Sequence, residues 1–315
     1  MIVTVTANPS TDRTVELPGP LERGGVNRAV RVTDQPGGKG VNVARVVRAA
    51  GLQTLAILPA RADDPFIESL REVALPHRAV AATAPVRTNI TVAEPDGTTT
   101  KINDGGTQLT ASTAAALHAA ILAAADSAQW LALCGSLPPG LPDDWYAGLV
   151  EAASTRGARV AVDTSGAPLA AVAGARPDLL KPNADELAEL TGADGGAMER
   201  AAAHGDPSAA AQASRALADR TGGSVLTTLG GAGALLTTPA GIWFAEAVPI
   251  AVRSTVGAGD ASLAGYLLAH VRGGDEEDLL RSAVAHGSAA ASLPGTTPPT
   301  PGLLDESAIA VTRLS

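Results

Sequence analysis

A glycine-rich turn at residues 254–260 leads directly into an apolar helix and ends on Asp260. Glycines at a helix start let backbone N–H groups converge on one point, and the helix dipole adds partial positive charge there. We therefore expect Gly257, Ala258 and Gly259 to form an anion hole. Asp260, in the first turn, is placed to accept a proton from a hydroxyl that attacks a bound phosphoryl group. A flexible turn whose carboxylate only complements the helix dipole is the structural alternative.

A second glycine-rich turn, residues 35–44, combines Gly38 with Lys39 and Asn42. It is not a Walker A loop, because glycine follows the lysine, and it lacks the third glycine of a dinucleotide fingerprint. Close backbone approach, one cation and one amide suit a polyhydroxylated ligand that carries a phosphate. We predict that Gly38, Lys39 and Asn42 bind such a substrate. A plain helix-start turn explains the glycines but not the lysine and asparagine inside it.

Further polar residues end strands or lie on predicted β-ribbons. Asp12 follows the first strand, where open α/β sheets bind ligands, and its carboxylate suits two sugar hydroxyls. An Asx turn is the alternative. Arg87 and Asn89 share one face of a strand and Lys101 lies nearby, so these side chains can close over a ligand, unless they are solvated edge residues. Ser136 does not fit a nucleophile elbow and is predicted to bind ligand.

Asn183 and Glu186 have the spacing of a capping box, in which each side chain caps the other's backbone N–H. Their oxygens equally suit a magnesium ion held through waters, and the two interpretations do not exclude each other. Aromatic residues make up only 2% of the chain. A nucleotide base would therefore lie against small and aliphatic side chains, for which residues 228–233 and 286–290 are the candidates.

Lysine is rare in this chain. Of 23 basic residues only three are lysine, namely Lys39, Lys101 and Lys181. A sequence that otherwise uses arginine can retain lysine where a compact, rotatable ammonium is needed. Codon bias combined with chance is the alternative explanation.

Short β-branched runs alternate with longer segments at helical spacing, which predicts βαβ units around a mainly parallel sheet. The predicted strands are 2–7, 54–58, 130–133, 159–163 and 224–229, and the predicted helices are 41–50, 112–125, 142–154, 184–190, 207–220, 258–271 and 276–291. The β-ribbons at about 13–33 and 85–103, the second with a hairpin turn at 94–97, are predicted to form a small lid. Residues 191–207 are predicted to be an exposed loop. We expect one domain over residues 1–315.

Composition excludes several classes of protein. The net charge of −9 disfavours a nucleic-acid binder. The single cysteine excludes an intramolecular disulfide framework, and the five histidines lack companion ligands for a transition metal. No uncharged apolar run reaches 18 residues, so no membrane span is expected. Without a signal-peptide pattern, a cytoplasmic location is the expectation.

Taken together, five motifs resemble the PfkB (ribokinase-like) family of carbohydrate kinases. In chain order they are Asn8–Asp12, Gly37–Asn42, Gly135–Pro138, Lys181–Glu186 and Gly257–Asp260. The resemblance implies a Rossmann-like three-layer α/β/α core with a mainly parallel sheet and a small β-sheet lid. It also implies ATP and Mg²⁺ as cofactors, Asp260 as catalytic base and Asn183 with Glu186 near the metal-bound phosphates. The residues expected to bind the nucleotide are Lys181, Asn183, Thr228, Gly230, Gly233 and Ser288.

Lysine in the Gly-Gly-Lys-Gly turn, together with Arg87 and Asn89, resembles the branch of that family that acts on phosphorylated hexoses. On an acidic protein, a sugar-phosphate dianion needs local cations, which Lys39, Arg87 and Lys101 can supply. The resemblance implies transfer of a phosphoryl group to fructose 1-phosphate, giving the 1,6-bisphosphate. Tagatose 6-phosphate, fructose 6-phosphate and a non-catalytic sugar-phosphate-binding protein are the alternatives. Exposed lid edges predict a homodimer.

Overall fold

Fourteen strands form two sheets of unequal size in the computed structural model, which describes residues 1–315. The strands are β1 (Ile2–Thr6), β2 (Ser10–Glu16), β3 (Arg31–Gly37), β4 (Thr54–Ala60), β5 (His77–Ala81), β6 (Arg87–Ala93), β7 (Thr99–Ile102), β8 (Trp130–Cys134), β9 (Arg159–Asp163), β10 (Leu179–Leu180), β11 (Ser224–Thr228), β12 (Ala234–Thr238), β13 (Gly241–Ala245) and β14 (Val311–Arg313). The helices are α1 (Lys39–Ala49), α2 (Pro65–Glu72), α3 (Ala111–Ala125), α4 (Trp145–Ser154), α5 (Gly166–Val172), α6 (Ala184–Thr191), α7 (Gly195–Ala203), α8 (Ser208–Thr221), α9 (Ala258–Val271) and α10 (Glu276–Ala291).

The large sheet has ten strands in the order β14-β13-β12-β11-β10-β9-β8-β1-β4-β5. Every pair from β11 to β5 is parallel, whereas β12, β13 and β14 are added in antiparallel fashion. Parallel strands all end at the same edge of a sheet, so the loops that follow β1, β8, β9 and β11 converge there.

Helices cover both faces of this sheet, which is why its parallel strands are apolar on both sides. Val3 and Val5 of β1 pack into one core with α3 to α8, and Ile2 packs into a second core with α1, α9 and α10. The three-layer α/β/α fold expected from the sequence is thereby confirmed.

Close packing of α9 against α10 sets the position of the Asp260 turn. A Cβ atom at Gly265 of α9 would lie 2.4 Å from the Ser282 carbonyl oxygen, and one at Gly287 of α10 would lie 2.3 Å from Ser262 Oγ. Glycine at both positions lets the helix backbones approach, and α9 is buried over most of its length as a result. The start of α9 is therefore held rigidly beside the sheet.

The small sheet has the order β3-β2-β6-β7 and matches the predicted ribbons, although its first two strands lie at 10–16 and 31–37. Residues 17–30 between them form no strand, because Pro18 and Pro20 cannot donate ladder hydrogen bonds. The hairpin turn at 94–97 is confirmed: Gly97 N donates to Glu94 O at 3.0 Å and Glu94 N to Thr98 O at 2.9 Å.

The prediction of an exposed loop at residues 191–207 is wrong, because helix α7 occupies residues 195–203. Asp194 caps this helix by accepting from Ala197 N, and Met198 and Ala202, four residues apart, are buried in the core. The helical spacing of the buried residues was not recognised in the sequence, because two glycines at the start of the segment favour a loop. The elements that were also not predicted are helices α2 and α5 and strands β5, β10 and β12 to β14. The other predicted strands of the large sheet and the other predicted helices have bounds that agree with the structure to within three residues. None of the helices is long and apolar enough to cross a membrane.

Candidate active site

A cleft of about 1540 Å³ lies between the carboxyl ends of the parallel strands and the small sheet. Of the residues that the sequence predicts for the site, only Glu186 is outside its lining. The structure brings the following predicted residues to this one cleft: Asp12, Gly38, Lys39, Asn42, Arg87, Asn89, Lys101, Ser136, Lys181, Asn183, Thr228, Gly230, Gly233, Gly257, Ala258, Gly259, Asp260 and Ser288.

Asp260 lies in the first turn of α9 and is only 6% exposed. Asn42 Nδ2 donates to its Oδ2 at 2.8 Å, while Oδ1 accepts no hydrogen bond from the protein. Burial raises the pKa of Asp260 to about 6, against the opposing charge of Lys39. The sequence predicts a substrate contact for Asn42, which lines the cleft, and in the structure its amide N–H group also fixes the orientation of Asp260. The carboxyl group thus presents one free oxygen and is poised to exchange a proton near neutral pH.

The turn before Asp260 leaves backbone N–H groups available. Gly257 adopts a left-handed conformation, with φ 80° and ψ −3°, and no side chain caps the helix. The first N–H groups of a helix have no partner within it, so those of Gly259 and its neighbours can receive an anion. Lys181 lies against this turn, since a Cβ atom at Gly259 would be 3.3 Å from Lys181 Nζ.

Asp163, at the end of β9, joins two of the three lysines. Lys39 Nζ donates to its Oδ1 at 2.5 Å, and Lys181 Nζ lies 3.0 Å from its Oδ2. Burial alone would raise the pKa of Asp163, but the two ammonium groups lower it overall. Burial likewise opposes the charge on Lys39, yet Asp163, Asp260 and Glu186 raise its pKa above the ordinary value. Asp163 therefore holds two ammonium groups beside the anion turn.

The sequence places Asp163 at a strand end but assigns it no partner. One signal for this three-residue cluster is present in the sequence. The three charged residues lie at the ends of neighbouring elements: Lys39 begins α1, Lys181 follows β10 and Asp163 ends β9. Such a triad depends on strand order, which the sequence pattern does not reveal.

Asp12 lies on β2 of the small sheet and lines the cleft. Its Oδ1 accepts from Ser10 Oγ at 2.8 Å and from Asn89 Nδ2 at 3.2 Å. Burial raises its pKa, against these hydrogen bonds and the charges of Arg87 and Arg45. The buried Arg45, which the sequence did not single out, donates to Thr296 Oγ1 at 3.2 Å and supports this corner.

Glycine is required opposite Asp12. A Cβ atom at Gly37 of β3 would lie 2.1 Å from Asp12 Oδ2, so any larger residue there displaces the carboxylate. The first glycine of this turn thus leaves room for the Asp12 carboxylate, whereas the sequence indicated only close backbone approach to a ligand.

Arg87 lies at the start of β6 in the small sheet and lines the cleft. It donates to the carbonyl oxygens of Asp104 and Asn8, the latter at 3.2 Å, and its buried Nε has no partner. Asn8 Nδ2 in turn donates to Ser136 Oγ at 3.2 Å. Lys101, in contrast, is exposed on β7 and makes no ion pair or hydrogen bond. Arg87 and Lys101 are thus the two cations on the lid side of the cleft, where Asp12, Glu16 and Glu94 are the acidic residues.

The opposite end of the cleft is small and aliphatic. Beside the predicted Thr228, Gly230, Gly233 and Ser288, it is lined by a segment that the sequence did not single out, residues 247–252. Val248, Ile250 and Val252 supply apolar surface there, in the absence of any aromatic side chain. A flat base could lie between this segment and α10.

The capping box is confirmed. Asn183 Oδ1 accepts from Glu186 N at 2.8 Å, and Glu186 Oε2 accepts from Asn183 N at 2.8 Å. Capping uses one oxygen of each side chain and leaves Glu186 Oε1 without a hydrogen-bond partner in the protein. No group of three or more histidine, cysteine or acidic side chains is arranged to hold a metal ion by itself.

Comparison with known proteins agrees with this geometry. The 1-phosphofructokinase of Rhodobacter capsulatus is 34% identical over 288 residues, covering 90% of this chain and 88% of the relative. The 1-phosphofructokinase of Xanthomonas campestris is 37% identical over 278 residues, covering 85% and 83%. Among solved structures, phosphofructokinase-2 from Escherichia coli in complex with substrates and products superposes with a TM-score of 0.87 at 29% identity, covering 96% of both chains.

The model of the pfkB family carbohydrate kinases matches residues 5–302, nearly the whole chain and every part of the cleft. The cleft brings a buried carboxylate, an open helix start and two ammonium groups to one volume. Because the family model matches nearly the whole chain, the chain belongs to the pfkB family of carbohydrate kinases.

Proposed function

We propose that this protein transfers the γ-phosphoryl group of ATP to a hydroxyl of fructose 1-phosphate, giving fructose 1,6-bisphosphate. The observation that carries the proposal is the convergence of Asp260, the Gly257–Gly259 turn and Lys181 at one end of a cleft whose lid side presents Asp12, Arg87 and Lys101. This is the arrangement needed to deprotonate an acceptor and to stabilise a transferring phosphoryl group.

The free oxygen of Asp260 accepts the proton of the attacking hydroxyl, and Asn42 holds the carboxylate in that orientation. Backbone N–H groups of the Gly257–Gly259 turn and the Lys181 ammonium stabilise charge that spreads over the phosphoryl oxygens. Asp163 ion-pairs with Lys39 and Lys181 and so fixes the position of both ammonium groups in the cleft.

Magnesium fits this site as an ion carried by the nucleotide phosphates. The protein has no three-ligand cluster of its own, but Glu186 Oε1 is free to bind through water, with Asn183 beside it. When bound, the ion would neutralise part of the charge on the transferring phosphate. The base would lie against Thr228, Gly230, Gly233, Ser288 and the aliphatic segment 247–252.

The substrate assignment rests on the lid side of the cleft. Asp12 and Asn89 suit sugar hydroxyls, and Arg87 and Lys101 suit the phosphate that the acceptor already carries. The relatives named 1-phosphofructokinase favour fructose 1-phosphate. The likeness to phosphofructokinase-2 from Escherichia coli, which has also been solved in complex with fructose-6-phosphate, favours fructose 6-phosphate as the second candidate.

An ATP-coupled assay over fructose 1-phosphate, fructose 6-phosphate and tagatose 6-phosphate tests the proposal. We expect the highest kcat/KM with fructose 1-phosphate. A higher value with either 6-phosphate would transfer the assignment to that acceptor. Tight sugar-phosphate binding without ADP release from any of the three would instead indicate a binding protein.

The small sheet is proposed to act as a lid within a single kinase domain and as a dimer contact. Alternation along its strands places Val32 and Ile102 on the face opposite Asp12 and Lys101, and these two apolar side chains are 54% and 58% exposed. An exposed apolar sheet face favours pairing with a second copy. The cytoplasmic location remains a prediction from the sequence.

A further inference from the structure

All three lysines of the chain line the same cleft. Lys39 lies at the start of α1, Lys181 follows β10 and Lys101 lies on β7, and the other 20 basic residues are arginines. The only other primary amine is that of Met1, which begins β1 at the opposite edge of the sheet and donates to Gln129 Oε1 at 3.2 Å. A reagent that modifies lysine therefore meets no lysine outside the active site.

Two of the three lysines are poor nucleophiles, because an amine attacks only in its neutral form. Asp163 ion-pairs with both Lys39 and Lys181, at 2.5 and 3.0 Å. Lys181 is in addition only 3% exposed. The ion pairs with Asp163 engage both amines, and burial shields Lys181 from a reagent in solution.

Lys101 has neither protection. It is exposed, makes no ion pair and no hydrogen bond, and lies directly opposite Thr91 in the β6–β7 register. Asn89, two residues from Thr91, faces the same side and contacts Asp12. The Lys101 amine therefore lies on the lid side of the cleft, on the sheet face that also carries Arg87 and Asp12.

We propose that Lys101 is a site of acylation by acyl phosphates, compounds that combine an electrophilic carbonyl group with a phosphate. The phosphate of such a compound can occupy the place proposed for the acceptor's own phosphate, beside Arg87 and Lys101. The neutral Nζ attacks the acyl carbon, a C–N bond forms and the C–O bond to phosphate breaks. Inorganic phosphate leaves with the electron pair, and the amine gives up a proton to solvent. The product is an uncharged amide.

Acylation removes one positive charge from the lid side of the cleft. On the proposed function, on which this consequence rests, the affinity for the sugar phosphate falls while nucleotide binding at the far end is spared. An acyl phosphate would then act as a covalent inhibitor that raises the KM for the acceptor. Because the other lysines are held by Asp163, one modification accounts for the whole effect.

Incubation of the full chain with acetyl phosphate, followed by peptide mass spectrometry, tests the site itself without reference to activity. We expect occupancy at Lys101 to exceed that at Lys39 and Lys181 by roughly 10-fold, since only its amine is unpaired. A neutral acetylating ester serves as the matched reagent, with Met1 as internal reference. The ratio of Lys101 to Met1 labelling should be several-fold higher with acetyl phosphate. Equal ratios, or equal labelling of the three lysines, would overturn the proposal.

Activity provides the second measurement. After treatment, the wild-type KM for fructose 1-phosphate should rise roughly 10-fold, as expected for one lost phosphate contact, with the KM for ATP unchanged. Lys101→Arg retains a cation that acetyl phosphate cannot acylate, so its kinetics, compared with its own untreated sample, should not change. Equal inactivation of both proteins would refute the proposal. Labelled Lys101 in a protein that turns over none of the sugar phosphates would refute the proposed function and leave the acylation site standing.

Discussion

Replacing Asn42 with leucine should shift the acid limb of the pH–activity profile upward. Asn42 donates to Asp260 Oδ2 at 2.8 Å, and this hydrogen bond lowers the pKa of a carboxyl group that burial raises to about 6. Leucine has the same branched shape and the same number of side-chain heavy atoms but no donor, so Asn42→Leu removes the hydrogen bond without leaving a cavity. Without the donor the charged form is less stable, and the pKa of Asp260 must rise.

A hydrogen bond to a charged group contributes about 1.5–3 kcal/mol. One pKa unit corresponds to about 1.4 kcal/mol, so the pKa should increase by roughly one to two units, to about 7–8. At pH 7 about nine-tenths of Asp260 is ionised at a pKa of about 6, but only about one quarter at a pKa of about 7.5. Because the base must be ionised, kcat/KM should fall roughly fourfold at pH 7 and recover by pH 9.

The measurement is kcat/KM for fructose 1-phosphate between pH 5 and 9, which reports the ionisation of the free enzyme. Asn103→Leu is the matched control, since Asn103 lines the same cleft on the lid side without touching Asp260. Its midpoint should equal that of the wild type. An unchanged or lower midpoint in Asn42→Leu, or a loss of activity that does not recover at high pH, would refute the reasoning.

Three other substitutions test separate parts of the structure. Asp163→Asn leaves two ammonium groups without their shared carboxylate and should lower the free energy of unfolding by about 3 kcal/mol in urea titrations; a loss below about 1 kcal/mol would show that the pair is not a buried unit. Gly37→Ala pushes a Cβ atom to within 2.1 Å of Asp12 Oδ2. It should raise the KM for the sugar phosphate at least 10-fold, roughly the effect of one or two lost hydrogen bonds, and leave the KM for ATP within about twofold of wild type. Parallel changes in both KM values would indicate general damage to the fold. Ile102→Asp places a charge on the apolar face of the small sheet and should convert a dimer to a monomer in size-exclusion chromatography with light scattering, whereas an unchanged mass would place the dimer contact elsewhere.

Local patterns predicted much of the site. Glycines before an apolar helix led to the Gly257–Asp260 turn, and a carboxylate after β1 led to Asp12, because these features depend on a few consecutive residues. The capping box at Asn183 and Glu186 was readable for the same reason. The alternation of strands and helices likewise predicted the three layers, since it reflects the burial of each element.

Features that depend on long-range contacts were not predictable. In the Lys39–Asp163–Lys181 triad, Lys39 is 124 positions from Asp163, and the meeting of the three residues follows from strand order rather than from any local spacing. Helix α7 was missed because two glycines at its start outweighed the buried spacing of Met198 and Ala202. Asn42 was placed correctly in the cleft, but its partner, Asp260, is 218 residues away.

The rate of ADP release by Asp260→Asn with saturating ATP and fructose 1-phosphate decides whether this carboxylate is the base. Asparagine keeps the size and the polar character of the side chain, but it cannot take up the proton of the attacking hydroxyl. Turnover should fall by roughly 10²–10⁴-fold while the KM values for both substrates stay close to those of the wild type. Turnover near the wild-type level would contradict the assignment of Asp260 as the group that deprotonates the sugar.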